Sequence, residues 1–301
     1  MESLVDGETR TIPGLDVEVG PLAFGCWRFT HDDVDHARRV LEAALDAGMN
    51  LVDTADIYGL DWGGSGFGAN EALLGDVLHR SPALRDRVVL ATKGGIAPPI
   101  PYDSSPASLR AACEASLRRL RTETIDLYQV HRPDLLAHPA DVAGTLLALR
   151  DEGKIRAIGV SNHTADQHRA LEAHLGEALA TSQPEFSVAT LDPMFDGVFD
   201  HCMTTGTLPL AWSPLAGGSL ATGDGADPAI IETLDRIAER EGVRRADVAS
   251  AFVLAHPSRP VAVVGSQDLG RLAGAPRALT VHLDRTDVYG LIVASRGEPM
   301  P

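Results

Sequence analysis

The chain has 301 residues, of which 44% are hydrophobic and 23% charged, the composition of a folded protein with a core large enough to need no disulfide or metal staple. Its 26 basic residues face 42 acidic ones, a net charge of −16, which argues against a nucleic-acid surface or an anionic membrane as partner. Only two of the basic residues are lysine, Lys93 and Lys154, and an arginine-biased genome accounts for most of that ratio.

The N-terminal stretch MESLVDGETR has no apolar core of a signal peptide, and no run approaches the 18 apolar residues of a membrane span. Cys26, Cys113 and Cys202 are far apart, odd in number and form no CxxC pair, which fits a reducing, cytoplasmic setting and no structural zinc. TIPGLDVEVGP predicts a short hairpin. LAFGCW is the first of eight short apolar runs, followed by NLVDT, RVVLATK, IDLYQVH, IRAIGVS, ATSQPE, LPLAWS and PVAVVGS. Their nearly continuous apolar character is that of strands buried on both faces.

Amphipathic segments separate the runs. DDVDHARRVLEAALDAG opens at Asp32 or Asp33 and closes at Gly48. SPASLRAACEASLRRL opens at Ser105, ADVAGTLLALRDEG ends at Gly153, and DPAIIETLDRIAEREG ends at Gly242. Eight strands alternating with helices, without a linker, predict an α/β fold of one domain over residues 1–301, a (β/α)₈ TIM barrel. A doubly wound sheet shares the alternation but calls for a GxGxxG turn after the first strand, and the sequence there is GCWRFTHDD.

Active sites of such barrels lie at the C-terminal ends of the strands. The second run ends in Asp53, with Tyr58 five residues on; the third ends in Lys93 and the fourth in His131. A lysine buried at a strand end requires a carboxylate, and Asp53 on the next strand supplies one. A tyrosine beside that cation is expected to have its pKa lowered toward neutrality and to act as a proton donor. A histidine on the following strand can orient the group that receives the proton. The set suits hydride addition to an aldehyde or ketone, in which the carbonyl oxygen gains charge. Each residue taken singly has a structural explanation as well: an ion pair, a packed aromatic, a core histidine.

VDTADIYG with the later NEALLG, then ATKGG, IDLYQVHRPD, GKIRAIGVSN, WSPLAGG and GSQDLGRL occur in one order along nearly the whole chain. In this the sequence resembles the aldo-keto reductases, nicotinamide-dependent oxidoreductases on a (β/α)₈ barrel, and within them a bacterial branch. The resemblance implies Tyr58 as general acid, Asp53 and Lys93 as the groups that tune it, and His131 as the residue that orients the carbonyl. It implies that Ser161, Asn162 and Gln183 hydrogen-bond the nicotinamide carboxamide and that Trp212 stacks on the ring, where the family more often has tyrosine. Ser213 to Gly217, including Leu215, would wrap the pyrophosphate, with Gly25, Trp27, Asp53 and Gly265 also beside the cofactor. Ser266, Gln267 and Arg271 fall where the family holds the 2′-phosphate, near a helix N-terminus. Gln267 stands where many members have a basic residue, and Gly274-Ala275 where a Glu-Asn pair is common; Arg271 is kept, so NADP(H) is expected over NAD(H).

Trp27, Trp62 and Arg132 are candidates for the substrate pocket, and LDWGGSGFGAN before Glu71 is a candidate flap. The expected partner is a small carbonyl or alcohol, with no metal, nucleic acid or membrane. An alternative function is a nicotinamide-binding barrel that senses and has little turnover. A metal-dependent hydrolase would need an HxH pair on the first strand, and none of the strand ends offers one. The remaining histidines, among them His36, His79, His138, His163, His168 and His174, are read as solvated, as is Lys154 in a helix-to-strand turn.

Overall fold

The computed structural model describes every residue except Met1, Asp16, Asp32, Asp61 and Trp62. The predicted hairpin is a two-stranded antiparallel sheet of β1 (Arg10–Thr11) and β2 (Glu18–Val19). The eight apolar runs become β3 (Leu22–Gly25), β4 (Leu51–Asp53), β5 (Val89–Gly94), β6 (Ile125–Val130), β7 (Ile155–Ser161), β8 (Thr181–Gln183), β9 (Leu208–Ala211) and β10 (Val261–Val264). They are parallel and pair in sequence order, and β10 closes the barrel onto β3.

Among the helices, α1 (Val34–Asp46) and α2 (Ala69–Arg80) follow β3 and β4, with the short α3 (Pro82–Arg85) leading into β5. After β5, β6 and β7 come α4 (Pro106–Leu120), α5 (Pro139–Asp151) and α6 (Ala165–Leu175). The last part of the chain carries α7 (Val198–Thr205), α8 (Ser219–Thr222), α9 (Pro228–Glu241), α10 (Arg245–Leu254), α11 (Leu269–Gly274) and α12 (Arg285–Arg296). Asp33 caps α1 by accepting from the Asp35 N–H, and Ser105 caps α4 with Pro106 at its first position. The alternative cap Asp32 lies outside the described residues.

Strand pleating sorts the apolar side chains into two cores. Phe24, Val52, Leu90, Tyr128 and Ile158 pack outward with the helices in the larger one. Ala23, Leu51, Val89, Ala91, Leu127, Ala157, Leu210 and Val263 fill the barrel, joined by Ile12, Leu15 and Val19 of the hairpin segment. The period of two carries that inner row one step further up each strand. From Leu51 it reaches Asp53, from Ala91 it reaches Lys93, and from Leu127 it reaches Gln129. The apolar filling thus gives way to a polar layer at the C-terminal ends, and this layer is the floor of the site.

The sleeve is close-packed enough that α2 and α4 meet at backbone level. A Cβ built on Gly75 of α2 would stand 2.1 Å from the Arg119 carbonyl oxygen and 2.9 Å from Leu120 Cα. Gly75→Ala is therefore expected to destabilise the fold by about 1–3 kcal/mol, overriding the better helix propensity of alanine. Chemical denaturation reads this, and a variant as stable as the parent contradicts the packing argument.

Two sequence readings change here. His168 on α6 is buried, with Nε2 3.2 Å from Ser182 Oγ, and burial pushes its pKa down to about 3. His163 is partly buried with Nδ1 2.9 Å from the Ser161 carbonyl; His79, His138 and His174 are exposed as expected. Lys154 is not simply solvated. It bridges Glu114 at 2.7 Å and Glu152 at 2.8 Å, because the turn before β7 passes the C-terminal half of α4 and the end of α5. Among the described residues no helix is long and apolar enough to cross a membrane.

Candidate active site

Lys93 stands at the centre of the polar layer and is fully buried. Its ammonium donates to Asp53 Oδ2 at 2.6 Å, to the Thr54 carbonyl at 2.8 Å and to the Tyr58 hydroxyl at 3.3 Å. Three N–H groups meet three acceptors, which is the full donor capacity of the group. Burial pulls the Lys93 pKa down, but the charges and hydrogen bonds of Asp53 and Tyr58 prevail and hold it above the ordinary lysine value. The other carboxylate oxygen of Asp53 accepts from Gln183 Nε2 at 3.0 Å and from Gln129 Nε2 at 3.3 Å. Gln129 is tied in turn to Thr181 Oγ1 at 3.2 Å.

Tyr58 lies in the turn after β4, its ring 5.8 Å from that of His131 and near-perpendicular to it. Loss of solvent around the phenol outweighs the Lys93 cation, so the Tyr58 pKa is raised, not lowered. That corrects the sequence expectation: the neighbouring charge has the anticipated sign, but burial is the larger effect. His131, at the end of β6, is buried, and burial together with Lys93 and Arg132 holds its pKa well below the usual histidine range. That shift favours the neutral imidazole, and its Nδ1 has no hydrogen-bond partner among the described residues.

Across the mouth, the ends of β7, β8 and β9 form a hydrogen-bonded run. Trp212 Nε1 donates to Asn162 Oδ1 at 2.9 Å, Asn162 Nδ2 to Ser161 Oγ at 2.7 Å, and Ser161 Oγ to the Gln183 carbonyl at 2.9 Å. This fixes the half-buried indole at the rim, and the Arg132 guanidinium lies 5.9 Å from its centroid. The loop after β9 turns through positive φ at Ser213, Ala216, Gly217 and Gly218. Among the described residues five non-glycines have positive φ, and three of them, Asn162, Ser213 and Ala216, are at this rim. Such strain concentrates where a ligand is held.

Gly25 ends β3, and Trp27 just beyond it is 40% exposed. Arg28 follows and donates to the Gly217 carbonyl at 2.9 Å. Leu215 is partly buried in the loop, and Gly265 is exposed directly after β10. Gln267 Oε1 lies 3.3 Å from His31 Nε2. Arg271 is exposed on α11. The N-terminus of α11 holds its own carboxylate, since Asp268 accepts from the Arg271 N–H at 2.8 Å. The end of α11 near which Ser266, Gln267 and Arg271 fall is therefore already capped from within the chain. Trp62, and with it part of the candidate flap, lies outside the described residues.

The sequence matches the Aldo/keto reductase family over residues 21–291. The chain is an aldo-keto reductase. It is 49% identical to a 6-dehydroglucose reductase of Novosphingobium aromaticivorans, with 97% of each chain covered. It is 35% identical to a 6-dehydroglucose reductase of Agrobacterium fabrum, over 94% of this chain and 96% of that one. Among solved structures it is similar to the glycerol dehydrogenase AKR11B4 of Gluconobacter oxydans, with a TM-score of 0.84, 28% identity and 98% of each chain covered.

Aldo-keto reductases use a nicotinamide cofactor, and the mouth of this one fits such a group. A Cβ on Gly217, Gly218 or Gly265 meets nothing within 4 Å, so open space adjoins the backbone at each. Arg28 places a cation on the 213–218 loop of a chain with net charge −16, as a pyrophosphate requires. Trp212 offers a flat ring beside polar groups. Sequence reasoning missed one residue of the polar layer around Lys93. Gln129 precedes the strand end where polar residues were sought, and only the period of two in LYQVH marks it as inward-facing.

Proposed function

We propose that this aldo-keto reductase reduces the aldehyde of a sugar-like substrate with NADPH, with Tyr58 supplying the proton. The observation that carries the reading is the buried Lys93 ammonium held between Asp53 and the Tyr58 hydroxyl at the barrel mouth. The nicotinamide, when bound, supplies or accepts hydride; the chain supplies the proton and the positioning.

A phenol whose pKa is raised stays protonated through neutral pH and is a competent acid for an oxygen gaining negative charge. Lys93 donates to that same phenol oxygen and so stabilises the phenolate left after transfer. His131, being neutral, orients the carbonyl by a hydrogen bond without adding a second buried cation beside Lys93. In alcohol oxidation the same groups run in reverse. Ser161, Asn162, Gln183 and Trp212 are assigned to the nicotinamide end, and Ser213 to Gly217 to the pyrophosphate. A sugar aldehyde is favoured by the 49% identity to a 6-dehydroglucose reductase. It is also favoured by a rim that combines Trp27 with the hydrogen-bonding groups Arg28 and Arg132.

NADPH is favoured over NADH by Arg271, whose planar guanidinium suits a phosphate. The test is reduction of an aldehyde panel, including six-carbon sugar aldehydes, with each cofactor. Turnover preferring NADPH is expected, and Arg271→Ala should weaken NADPH binding by roughly tenfold or more while leaving NADH binding unchanged. Equal losses for both cofactors would remove Arg271 from phosphate recognition, and tight cofactor binding without turnover on any aldehyde would overturn the reductase reading.

A further inference from the structure

Asn70, at the start of α2, is fully buried and belongs to none of the groups above. Its side-chain nitrogen donates to two carbonyls of the loop after β3, Cys26 O at 2.6 Å and Trp27 O at 3.1 Å. Its backbone N–H donates to the Tyr58 carbonyl at 3.3 Å. One residue therefore joins the loop that carries Trp27 to the turn that carries Tyr58. Two carbonyl oxygens require the NH₂ end of the amide on that side, which fixes its orientation. The amide oxygen is left buried without a partner among the described residues. A buried acceptor left unpaired is costly, so the two donated bonds, not the satisfaction of the whole group, account for an asparagine at this position.

The next residue strengthens the anchor. Glu71 is buried, accepts from Thr92 Oγ1 at 2.5 Å and pairs with Arg119 at 2.6 Å. Thr92 adjoins Lys93 on β5, so the first turn of α2 is locked to the strand that carries the buried lysine. Asn70 projects from a fixed point.

We propose that Asn70 is a positioning residue for specificity, holding Trp27 as the wall against which the non-reacting part of a sugar-sized carbonyl substrate packs. The proposal rests on the reading of this mouth as the substrate site with Tyr58 as proton donor. A very small aldehyde needs the proton donor and little else, whereas a six-carbon substrate also draws on the wall. Loosening Cys26 and Trp27 should separate the two, because binding energy from remote parts of a substrate depends on those contacts staying in register.

The experiment uses the full chain with Asn70→Ala and the milder Asn70→Ser, which keeps one short donor. KM and kcat are measured with a six-carbon sugar aldehyde and with a two-carbon aldehyde. Acrylamide quenching of Trp27 fluorescence is isolated by subtracting the Trp27→Phe background. For Asn70→Ala the KM of the larger substrate is expected to rise roughly tenfold, kcat on the smaller to stay within about twofold, and Trp27 to become more quenchable. Asn70→Ser should fall between Asn70→Ala and the parent, and it carries the test alone if the alanine variant does not fold. A purely structural role would lower the melting temperature while leaving the KM ratio and the quenching at parental values, and that result overturns the proposal. If the parent reduces no carbonyl compound, the reductase reading fails, and the quenching comparison still decides whether Asn70 holds Trp27.

Discussion

Tyr58→Phe is expected to abolish most carbonyl reduction while leaving cofactor binding unchanged. Phenylalanine keeps the ring that packs against His131 and removes only the hydroxyl that Lys93 Nζ contacts at 3.3 Å. A positioned general acid contributes roughly 10²–10⁴-fold, or about 3–5 kcal/mol of barrier. The loss should fall on kcat, because the proton is transferred only in the transition state. The pH profile gives a second reading. Burial holds the Tyr58 pKa above the ordinary phenol value of 10.0, so the acid form persists through neutral pH. Reduction by the parent should therefore not lose its acid until strongly alkaline pH, whereas a phenol lowered toward 7 would give a rate that falls through neutrality. Steady-state rates from pH 6 to 10, with cofactor affinity measured by fluorescence titration, check both. Near-parental turnover in Tyr58→Phe would exclude the residue as proton donor.

The direction of that pKa marks where sequence reasoning stopped. The neighbours of Tyr58 were legible: a strand-end lysine needs a carboxylate, and Asp53 and Lys93 lie on adjacent strands. The balance between a cation that lowers the pKa and a loss of solvent that raises it depends on how closely the surrounding loops pack, and no spacing in DTADIYG encodes that. The barrel itself was legible because eight apolar runs alternate with amphipathic helices, and its hairpin because TIPGLDVEVGP carries a turn. His168 was misread for a related reason. Its helix is amphipathic, but the face on which one polar residue falls against Ser182 of β8 is set by how α6 lies on the barrel. Gln129 was missed because polar residues were sought at strand ends, whereas the inner row of a pleated strand runs by twos and meets the site one residue earlier.

That inner row explains why the site can hold a buried cation at all. Below it the barrel is filled by Leu51, Ala91 and Leu127, buried apolar side chains that offer no partner to a polar group. Each polar group of the layer has to find its partner in the layer. Asp53 does so with both oxygens, one toward Lys93 and one toward Gln129 and Gln183. The carboxylate is held from three strands, and it holds the lysine in turn. The Tyr58 hydroxyl is reached by the Lys93 ammonium, so its orientation is set by a chain of bonds that begins on β6 and β8.

Lys93→Arg, a change that preserves charge, is accordingly expected to cost at least about 100-fold in turnover. The ammonium is fully buried and its three hydrogens are matched by Asp53, Thr54 and Tyr58. A guanidinium brings five N–H groups in a planar fork into a space with three acceptors, leaving two buried donors unpaired, and it is larger than the site it enters. Overpacking should destabilise the fold by about 1–3 kcal/mol, while a displacement of the Tyr58 hydroxyl on the order of 1 Å is enough for the rate loss. Lys93→Met separates charge from shape. It nearly keeps the volume but leaves the Asp53 carboxylate buried without its cation, so about 3–5 kcal/mol of stability should be lost together with the activity. Chemical denaturation and turnover on one aldehyde, measured for the parent and both variants, give the comparison. Lys154→Arg, at the half-buried bridge to Glu114 and Glu152, serves as the control and should leave turnover within about twofold. If Lys93→Arg behaves like Lys154→Arg, the compact point charge is not what orients Tyr58. If it fails while the control does not, one of the two lysines in an otherwise arginine-based chain is there for its shape as much as for its charge.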